Sequence, residues 1–136
     1  YSALQRAAQV NALRERHDAA QADRAAPAQR ERGHPLFEWQ ARPAPALVAG
    51  DFNCEPGSDA YTRMAAPPFD DAWALAHAGA PHPMTAGCFD TAQWERPLAC
   101  DFVFVSQELA PRVRRCEVDA MSTASDHQAV LVTLRP

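Results

Sequence analysis

The stretch Asp101–Ser106 constrains the fold of this chain more than any other segment, because it reads as a β-strand with two apolar faces. Side chains alternate between the faces of a strand, so Phe102 and Phe104 share one face and Val103 and Val105 share the other. A strand that is apolar on both faces has to be covered on each side. We therefore predict a central strand that begins at the aspartate of this stretch.

A second strand is predicted just before a polar pair. Residues 47–53 read LVAGDFN, a short apolar run that ends in glycine and then presents Asp51 and Asn53. Residues two apart in an extended chain point to the same side, so these two polar side chains stand together and Phe52 turns back into the protein. A charged group beside a buried strand is costly unless it has a partner or a task. The pair is therefore a candidate for function.

Capping residues, prolines and side-chain alternation predict the remaining elements. Ser2 is a suitable N-cap for a helix over residues 2–16, with apolar residues along one side. Residues 17–45 are rich in Ala, Arg, Gln and Pro, and prolines interrupt helices, so we expect a surface insertion there. We also predict short helices over residues 58–64 and 70–76, a half-exposed strand over residues 115–120 and a last strand over residues 129–134.

Composition excludes several classes of protein. The chain has 136 residues, which is the size of one domain, and 47% of them are hydrophobic, which is typical of a globular protein. A net charge of −4 argues against bulk electrostatic coating of nucleic acid, although it leaves room for a local basic groove. No run approaches the length of about 18 apolar residues that a membrane span needs. The four cysteines lack C-x-x-C spacing, so a structural zinc site is not expected, and we interpret them as reduced thiols of a cytoplasmic protein.

Polar groups recur at the ends of the predicted strands. Asp51 and Asn53 follow one strand, Asp101 opens another, and Asp126 and His127 precede the last. Since sequential strands are usually neighbours in a sheet, we expect these five side chains on one rim. Carboxylate and amide oxygens suit Mg²⁺ or Mn²⁺, whereas zinc favours more histidine or cysteine. One titratable base beside such a cation is typical of phosphate-ester hydrolysis.

Three segments resemble the late motifs of the endonuclease/exonuclease/phosphatase superfamily. They are GDFN at 50–53, CDFVFVS at 100–106 and SDHQAV at 125–130, and the opening helix is similar to the family helix that precedes the GDFN strand. Cys100 and Ala129 replace the isoleucine and proline that are commoner in the family. The resemblance implies an α+β fold, half of a four-layer α/β sandwich, with one mixed sheet and helices packed on one face. Residues 1–136 would then be the C-terminal part of a single domain.

The resemblance also implies a role for each candidate residue. Asp51 would orient or deprotonate the attacking water, and Asn53 would contact the scissile phosphate. Asp101 would pair with His127, which would act as a base or as a hydrogen-bond donor in the transition state. Asp126 would help to hold Mg²⁺, with Mn²⁺ as the alternative cation. The reaction would be attack of water on a phosphoester, most often a phosphodiester.

The resemblance further implies that the site is incomplete. The family's early asparagine, main metal-binding glutamate and additional histidine cannot be assigned in this chain. Half of a sandwich would leave one face of its sheet uncovered, and large apolar patches are rare on soluble monomers. We therefore expect an upstream segment or self-association, and weak or absent turnover by this chain alone.

Simpler interpretations stand beside these. Taken singly, the candidate residues can be turn, capping or loop residues. Trp94 and Arg96, in the loop before the strand at residue 101, are weaker candidates for substrate contact. For Asp70, Asp71 and the histidines at positions 17, 34, 77 and 82 we prefer structural or surface roles.

Two alternatives to a phosphodiesterase or nuclease remain open. One is a binding or interaction module that keeps the fold without turnover. The other is a phosphatase of phospholipid head groups or inositol phosphates. The sequence does not choose among nucleic acid, lipid head group and small phosphoester as the substrate.

Overall fold

The structure, a computed structural model, describes residues 2–25, 45–90 and 92–136. Its elements are α1 (Ala3–Ala25), β1 (Leu47–Asp51), α2 (Asp59–Met64), β2 (Phe69–Asp71), α3 (Ala72–Ala76), β3 (Asp101–Ser106), a 3₁₀ turn (Ala110–Arg112), β4 (Val113–Val118) and β5 (Val130–Leu134). The α+β class is the predicted one. Within the described ranges, no helix combines the length and the apolar character that crossing a membrane requires.

Strand β3 is central, as predicted, but the sheet differs from the expected one. The order is β1–β3–β2, and both pairings are antiparallel. Strands β4 and β5 form a second antiparallel ladder. The prediction of one mixed sheet is therefore wrong for the described residues. The 3₁₀ turn separates β4 from β3, so β4 leaves the first ladder and pairs with the last strand.

The core lies on both faces of β3. Phe102 and Phe104 pack against α1 and α2 in a cluster with Val10, Met64 and Phe69. On the opposite face Val103 and Val105 pack in a cluster with Ala72, Leu109 and Cys116, which come from α3, the segment after β3 and β4. The prediction that helices cover only one face is wrong, because the two apolar faces of β3 each require a layer. The argument from an uncovered sheet face therefore no longer supports the expected partner, which stays a proposal.

Strand β1 was expected to be buried, and it is not. It pairs only with β3 among the described residues, so it is an edge strand there. Leu47 is 48% exposed, and only Val48 of its five residues is even partly buried. An apolar run by itself does not distinguish an edge strand from a central one. Phe52, just beyond the strand, does turn inward and packs edge-on against Phe104 with ring centroids 5.0 Å apart.

Helix α1 begins as predicted and continues further. The Ser2 hydroxyl accepts from the Gln5 amide at 3.2 Å, and the Gln5 side chain accepts from the Ser2 amide at 2.9 Å, which together form a capping box. The predicted end near residue 16 is wrong, because the helix runs to Ala25. His17, expected in a loop, is 7% exposed and packs 4.7 Å from the Phe69 ring. The rest of the predicted insertion, residues 26–44, lies outside the described residues.

Each of the two predicted short helices begins at a capping side chain, although the second begins two residues later than predicted. The Ser58 hydroxyl accepts from the Tyr61 amide at the start of α2. Asp71 accepts from the Trp73 amide at 2.8 Å at the start of α3, so one of the two neighbouring aspartates is a capping residue. Asp70 belongs to β2 instead.

We expect the centre of β3 to dominate stability. The Phe104 side chain is fully buried, whereas Phe89 is 53% exposed. Phe104→Ala should lower the free energy of unfolding by about 3–5 kcal/mol, because it removes a buried ring and leaves a cavity. The matched Phe89→Ala variant should lower it by only about 0.5 kcal/mol. Urea denaturation measures both, and equal losses would contradict a core built on this strand.

Candidate active site

The antiparallel ladder places two carboxylates side by side at one end of the sheet. Asp51, the last residue of β1, is the register partner of Asp101, the first residue of β3. Directly opposed residues of antiparallel strands project from the same face. The Asp51 residue is exposed, and the Asp101 side chain is 16% exposed. The register therefore brings together two of the predicted site residues.

Backbone contacts with the loop segment 84–87 hold His127 against Asp101. The His127 Nδ1 lies 2.9 Å from the Asp101 Oδ2. His127 forms an isolated antiparallel bridge with Ala86, and the next amide, that of Gln128, donates to the Thr85 carbonyl at 2.6 Å. These backbone contacts bring the histidine to the start of β3, across 26 residues of chain. The predicted pairing of His127 with Asp101 is present in the structure.

Thr85 organises this contact, and sequence reasoning missed it. Its hydroxyl donates to Asp101 Oδ2 at 2.7 Å and accepts from the amides of Cys100 and Asp101 at 3.1 and 3.0 Å. The residue is 2% exposed. Thr85 therefore holds the Asp101 carboxylate from a buried position. A single threonine in a proline-rich loop has no periodic pattern that could have revealed this role.

The electrostatics of the site favour the protonated imidazole. Partial burial of His127 lowers its pKa, but the hydrogen bond to Asp101 and the charges of Asp101, Asp51 and Asp126 outweigh burial. The net effect is a pKa raised above 6.5. A carboxylate only accepts, so Nδ1 donates to Asp101 and Nε2 is the ring nitrogen left for other contacts.

The two remaining predicted residues flank this pair. Asp126 is exposed, next to His127, with its Oδ1 3.5 Å from the Ser125 hydroxyl. Asn53 is exposed and has a left-handed backbone, φ 49°, a conformation that asparagine tolerates better than most residues. The backbone amide of Asn53 donates to Asp51 Oδ1 at 2.7 Å. No hydrogen bond of the Asn53 side chain to the histidine occurs among the described residues.

Trp94 lies at the edge of the candidate site, next to His127. Its ring is perpendicular to that of His127, with centroids 5.7 Å apart. A Cβ at position 87 would come within 2.7 Å of the Trp94 Cγ, so Gly87, at φ +67°, is required for this approach. The Trp94 Nε1 is buried and has no hydrogen-bond partner among the described atoms. Its predicted contact with substrate stays a prediction.

Arg96, the other weak candidate, has a partner on the protein. Its guanidinium donates to both carboxylate oxygens of Glu55, at 2.6 and 3.0 Å. This hydrogen-bonded pair lowers the pKa of Glu55 and raises that of Arg96. Both side chains are about half exposed. The contact of Arg96 with substrate stays a prediction, and such a contact would compete with the Glu55 pair.

A second histidine–aspartate pair lies behind the site. Asp71 is 4% exposed; its carboxylate pairs with His82 and accepts from the Tyr61 hydroxyl at 2.7 Å. Burial, with the hydrogen bond to Asp71, raises the pKa of Tyr61. Asp71, His82, Thr85 and Asp101 line one cavity of about 10 Å³, which is room for a single water. These groups are mutually satisfied, and they fit the structural interpretation of Asp71 and His82.

The possible metal ligands of the site form two sets, and each set suits a different kind of cation. The exposed carboxylates of Asp51 and Asp126 offer the hard oxygens that Mg²⁺ takes together with water and substrate phosphate. The tightest group of ligand atoms among the described residues, in contrast, is mixed: Cys100, Asp101 and His127 have one ligand atom each within 4.8 Å of one another. The chemistry of the carboxylates therefore fits a hard divalent cation at the rim, outside the mixed group.

Removing the Asp101 charge should lower the pKa of His127. In metal-free protein, an NMR titration of the imidazole should give a pKa above 6.5 for the wild type and a lower value for Asp101→Asn, because the hydrogen bond to an anion is lost. Asp59→Asn, a change in the first turn of α2, is the matched control and should leave the value unchanged. An unchanged pKa in Asp101→Asn would contradict the pairing.

Thr85→Val should destabilise the start of β3. It leaves the amides of Cys100 and Asp101 without their acceptor, at an expected cost of about 1–3 kcal/mol in the free energy of unfolding. Thr123→Val changes an exposed threonine and should cost no more than about 0.5 kcal/mol. Urea denaturation compares the two; equal stabilities would show that the Thr85 hydroxyl does not organise the site.

Comparison with known proteins identifies the family of this chain. A model of the Endonuclease/Exonuclease/phosphatase family matches residues 5–127, from the first turn of α1 to the site histidine. A search of curated protein sequences finds no match. The matched region includes β1, β3 and the loop that presents His127. Because the match spans well over half of the chain, the chain belongs to the Endonuclease/Exonuclease/phosphatase family.

Proposed function

We propose that this chain belongs to a divalent-metal-dependent phosphodiester hydrolase. Family membership already makes it a phosphoesterase-type protein in general terms. The observation that supports the finer proposal is the Asp101–His127 hydrogen bond of 2.9 Å beside the Asp51 carboxylate. A histidine with one nitrogen held by a carboxylate and the other left for a substrate is suited to proton transfer.

His127 acts through Nε2 in this proposal. Asp101 holds the proton on Nδ1, and Thr85 in turn holds Asp101. Nε2 then either accepts the proton of the attacking water or donates a hydrogen bond to the phosphoryl oxygen on which charge develops. The Trp94 ring lies beside the imidazole in an edge-to-face arrangement.

The β1 end supplies the remaining groups. Asp51 orients the attacking water or accepts its proton, and the side-chain amide of Asn53 donates to the scissile phosphate. Water attacks phosphorus in line with the departing oxygen, which leaves as the phosphorus–oxygen bond breaks and takes up a proton. The backbone amide of Asn53 donates to Asp51 Oδ1, and this hydrogen bond fixes the direction of that carboxylate.

Mg²⁺, or alternatively Mn²⁺, is the cofactor that we propose, with Asp126 helping to hold it and Asp51 as a further exposed carboxylate. When bound, it would neutralise phosphate charge and polarise the phosphoryl oxygens. These ligands are exposed and come from a strand end and a loop. We therefore expect weak metal binding and slow turnover by this chain alone.

The substrate class stays open among nucleic acid, lipid head group and small phosphoester. An upstream segment or self-association also stays a proposal, as does the cytoplasmic location. A test of the function therefore starts from an unspecific phosphodiester and compares this chain with the longest form of the protein that its gene encodes.

Hydrolysis of bis(p-nitrophenyl) phosphate with Mg²⁺ tests the function. His127→Ala, Asp101→Asn and Asp51→Asn should each reduce kcat by about 100-fold or more, the usual loss for a residue that transfers or positions a proton. Chelation by EDTA should abolish turnover, and added Mg²⁺ should restore it. Asp59→Asn is the matched control and should leave the rate unchanged, because Asp59 lies in the first turn of α2.

The same assay decides against the proposal if wild-type turnover is absent from both forms of the protein. That result would favour the binding-module alternative. Hydrolysis of phosphomonoesters of lipid or inositol type, without hydrolysis of the diester, would favour the phosphatase alternative. Unchanged kcat in both His127→Ala and Asp101→Asn would place the reaction elsewhere.

A further inference from the structure

The start of β3 contains three possible metal ligands, of which the proposed hydrolysis uses Asp101 and His127 but not the Cys100 thiol. The Cys100 thiol lies 3.5 Å from Asp101 Oδ2, and the His127 Nδ1 lies 2.9 Å from the same oxygen. All three ligand atoms fall within 4.8 Å of one another. We propose that Cys100, Asp101 and His127 form a site for a thiophilic divalent cation, of the class of Zn²⁺ and Cd²⁺, whose binding inhibits the enzyme.

Of the three ligand separations, sulfur–oxygen already has the value of a tetrahedral site, nitrogen–oxygen is shorter than that value, and sulfur–nitrogen lies within 4.8 Å. Zn–S, Zn–N and Zn–O bonds of about 2.3, 2.1 and 2.1 Å put sulfur about 3.6 Å from each harder ligand, and nitrogen about 3.4 Å from oxygen. The observed sulfur–oxygen distance of 3.5 Å already matches. The nitrogen–oxygen pair has to open by about 0.5 Å from its hydrogen-bonded separation. The imidazole is 29% exposed, so a small rotation of His127 is feasible.

The ligand types select the cation. Thiolate and imidazole favour Zn²⁺ and Cd²⁺, whereas Mg²⁺ prefers oxygen. Burial, with the Asp101 charge next in importance, raises the pKa of Cys100 to about 12, so the free protein contains the thiol. On binding, sulfur releases its proton to solvent and bonds to the metal, as coordinated thiols do. The protonated imidazole likewise releases its Nδ1 proton to solvent and keeps the proton on Nε2, and Asp51, opposite Asp101, adds negative charge nearby.

Inhibition follows from the atoms that the cation takes. It replaces the Nδ1–H···Oδ2 hydrogen bond, so Asp101 no longer holds the proton that sets the direction of His127. This consequence depends on the proposed function, whereas the metal site itself does not. The position of Cys100 is also informative: an aliphatic side chain there would offer no soft ligand, and the remaining aspartate and histidine would be a weaker pair.

Cadmium binding tests the site independently of catalysis. The metal-free chain with Cys88→Ala, which removes the partly exposed thiol, serves as the parent and is titrated with Cd²⁺. The ultraviolet thiolate-to-cadmium charge-transfer band should reach its plateau at one equivalent. Adding Cys100→Ala should abolish the band. Adding Cys116→Ala instead removes an equally buried thiol on β4 and should retain the band.

Two further variants keep the test decisive if Cys100→Ala unfolds. His127→Ala and Asp101→Asn retain the thiol but lose one ligand each, and both should weaken Cd²⁺ binding at least tenfold. A parent without the band, a band that survives Cys100→Ala, or an unchanged Kd in His127→Ala would each overturn the proposal. Circular dichroism checks that each variant is folded.

The inhibitory consequence has its own experiment. With excess Mg²⁺, Zn²⁺ should inhibit phosphodiester hydrolysis, and Cys100→Ala should raise the half-inhibitory Zn²⁺ concentration at least tenfold relative to Cys116→Ala. Equal inhibition of both variants would overturn the regulatory role. A cadmium band in a chain that hydrolyses no phosphoester would support the site while rejecting the proposed function.

Discussion

Burial of strand β3 on both faces is the constraint on which the rest of the structure depends. Phe102 and Phe104 require α1 and α2 on one side, and Val103 and Val105 require α3 and β4 on the other. Flanking strands β1 and β2 then complete the antiparallel ladder. This packing fixes where β3 begins, and the polar site is built at that end.

Asp101 is the point at which the core and the chemistry meet. It opens the most buried strand, yet its carboxylate is partly exposed, and a hydroxyl and an imidazole hydrogen-bond to it. The same carboxylate receives its partners from two separate segments, which are the loop with Thr85 and the loop with His127. A carboxylate that is held from two sides both orients the histidine and fixes the strand end.

The sequence predicted the existence and type of most elements, and it predicted the convergence of the site. Alternation located β3, and capping residues located the starts of α1 and α2, whereas α3 begins two residues after its predicted start. It was wrong about the exposure of β1, about the one-sided cover of the sheet and about the end of α1. Those features depend on contacts between distant segments, such as the packing of His17 on Phe69, and no local pattern encodes them.

What the sequence by itself determined is the chemistry available: an oxygen-rich set of Asp51, Asn53, Asp101 and Asp126 with one histidine, placed where strands end. Only the tertiary structure decided which of these groups touch. The register of β1 and β3 places Asp51 opposite Asp101, and the buried hydroxyl of Thr85 holds the Asp101 carboxylate. The packing also brings the Cys100 thiol close to His127. The physical reason is that spacing along a chain fixes the direction of a side chain within one element, whereas distances between elements are set by how the two faces of β3 are packed.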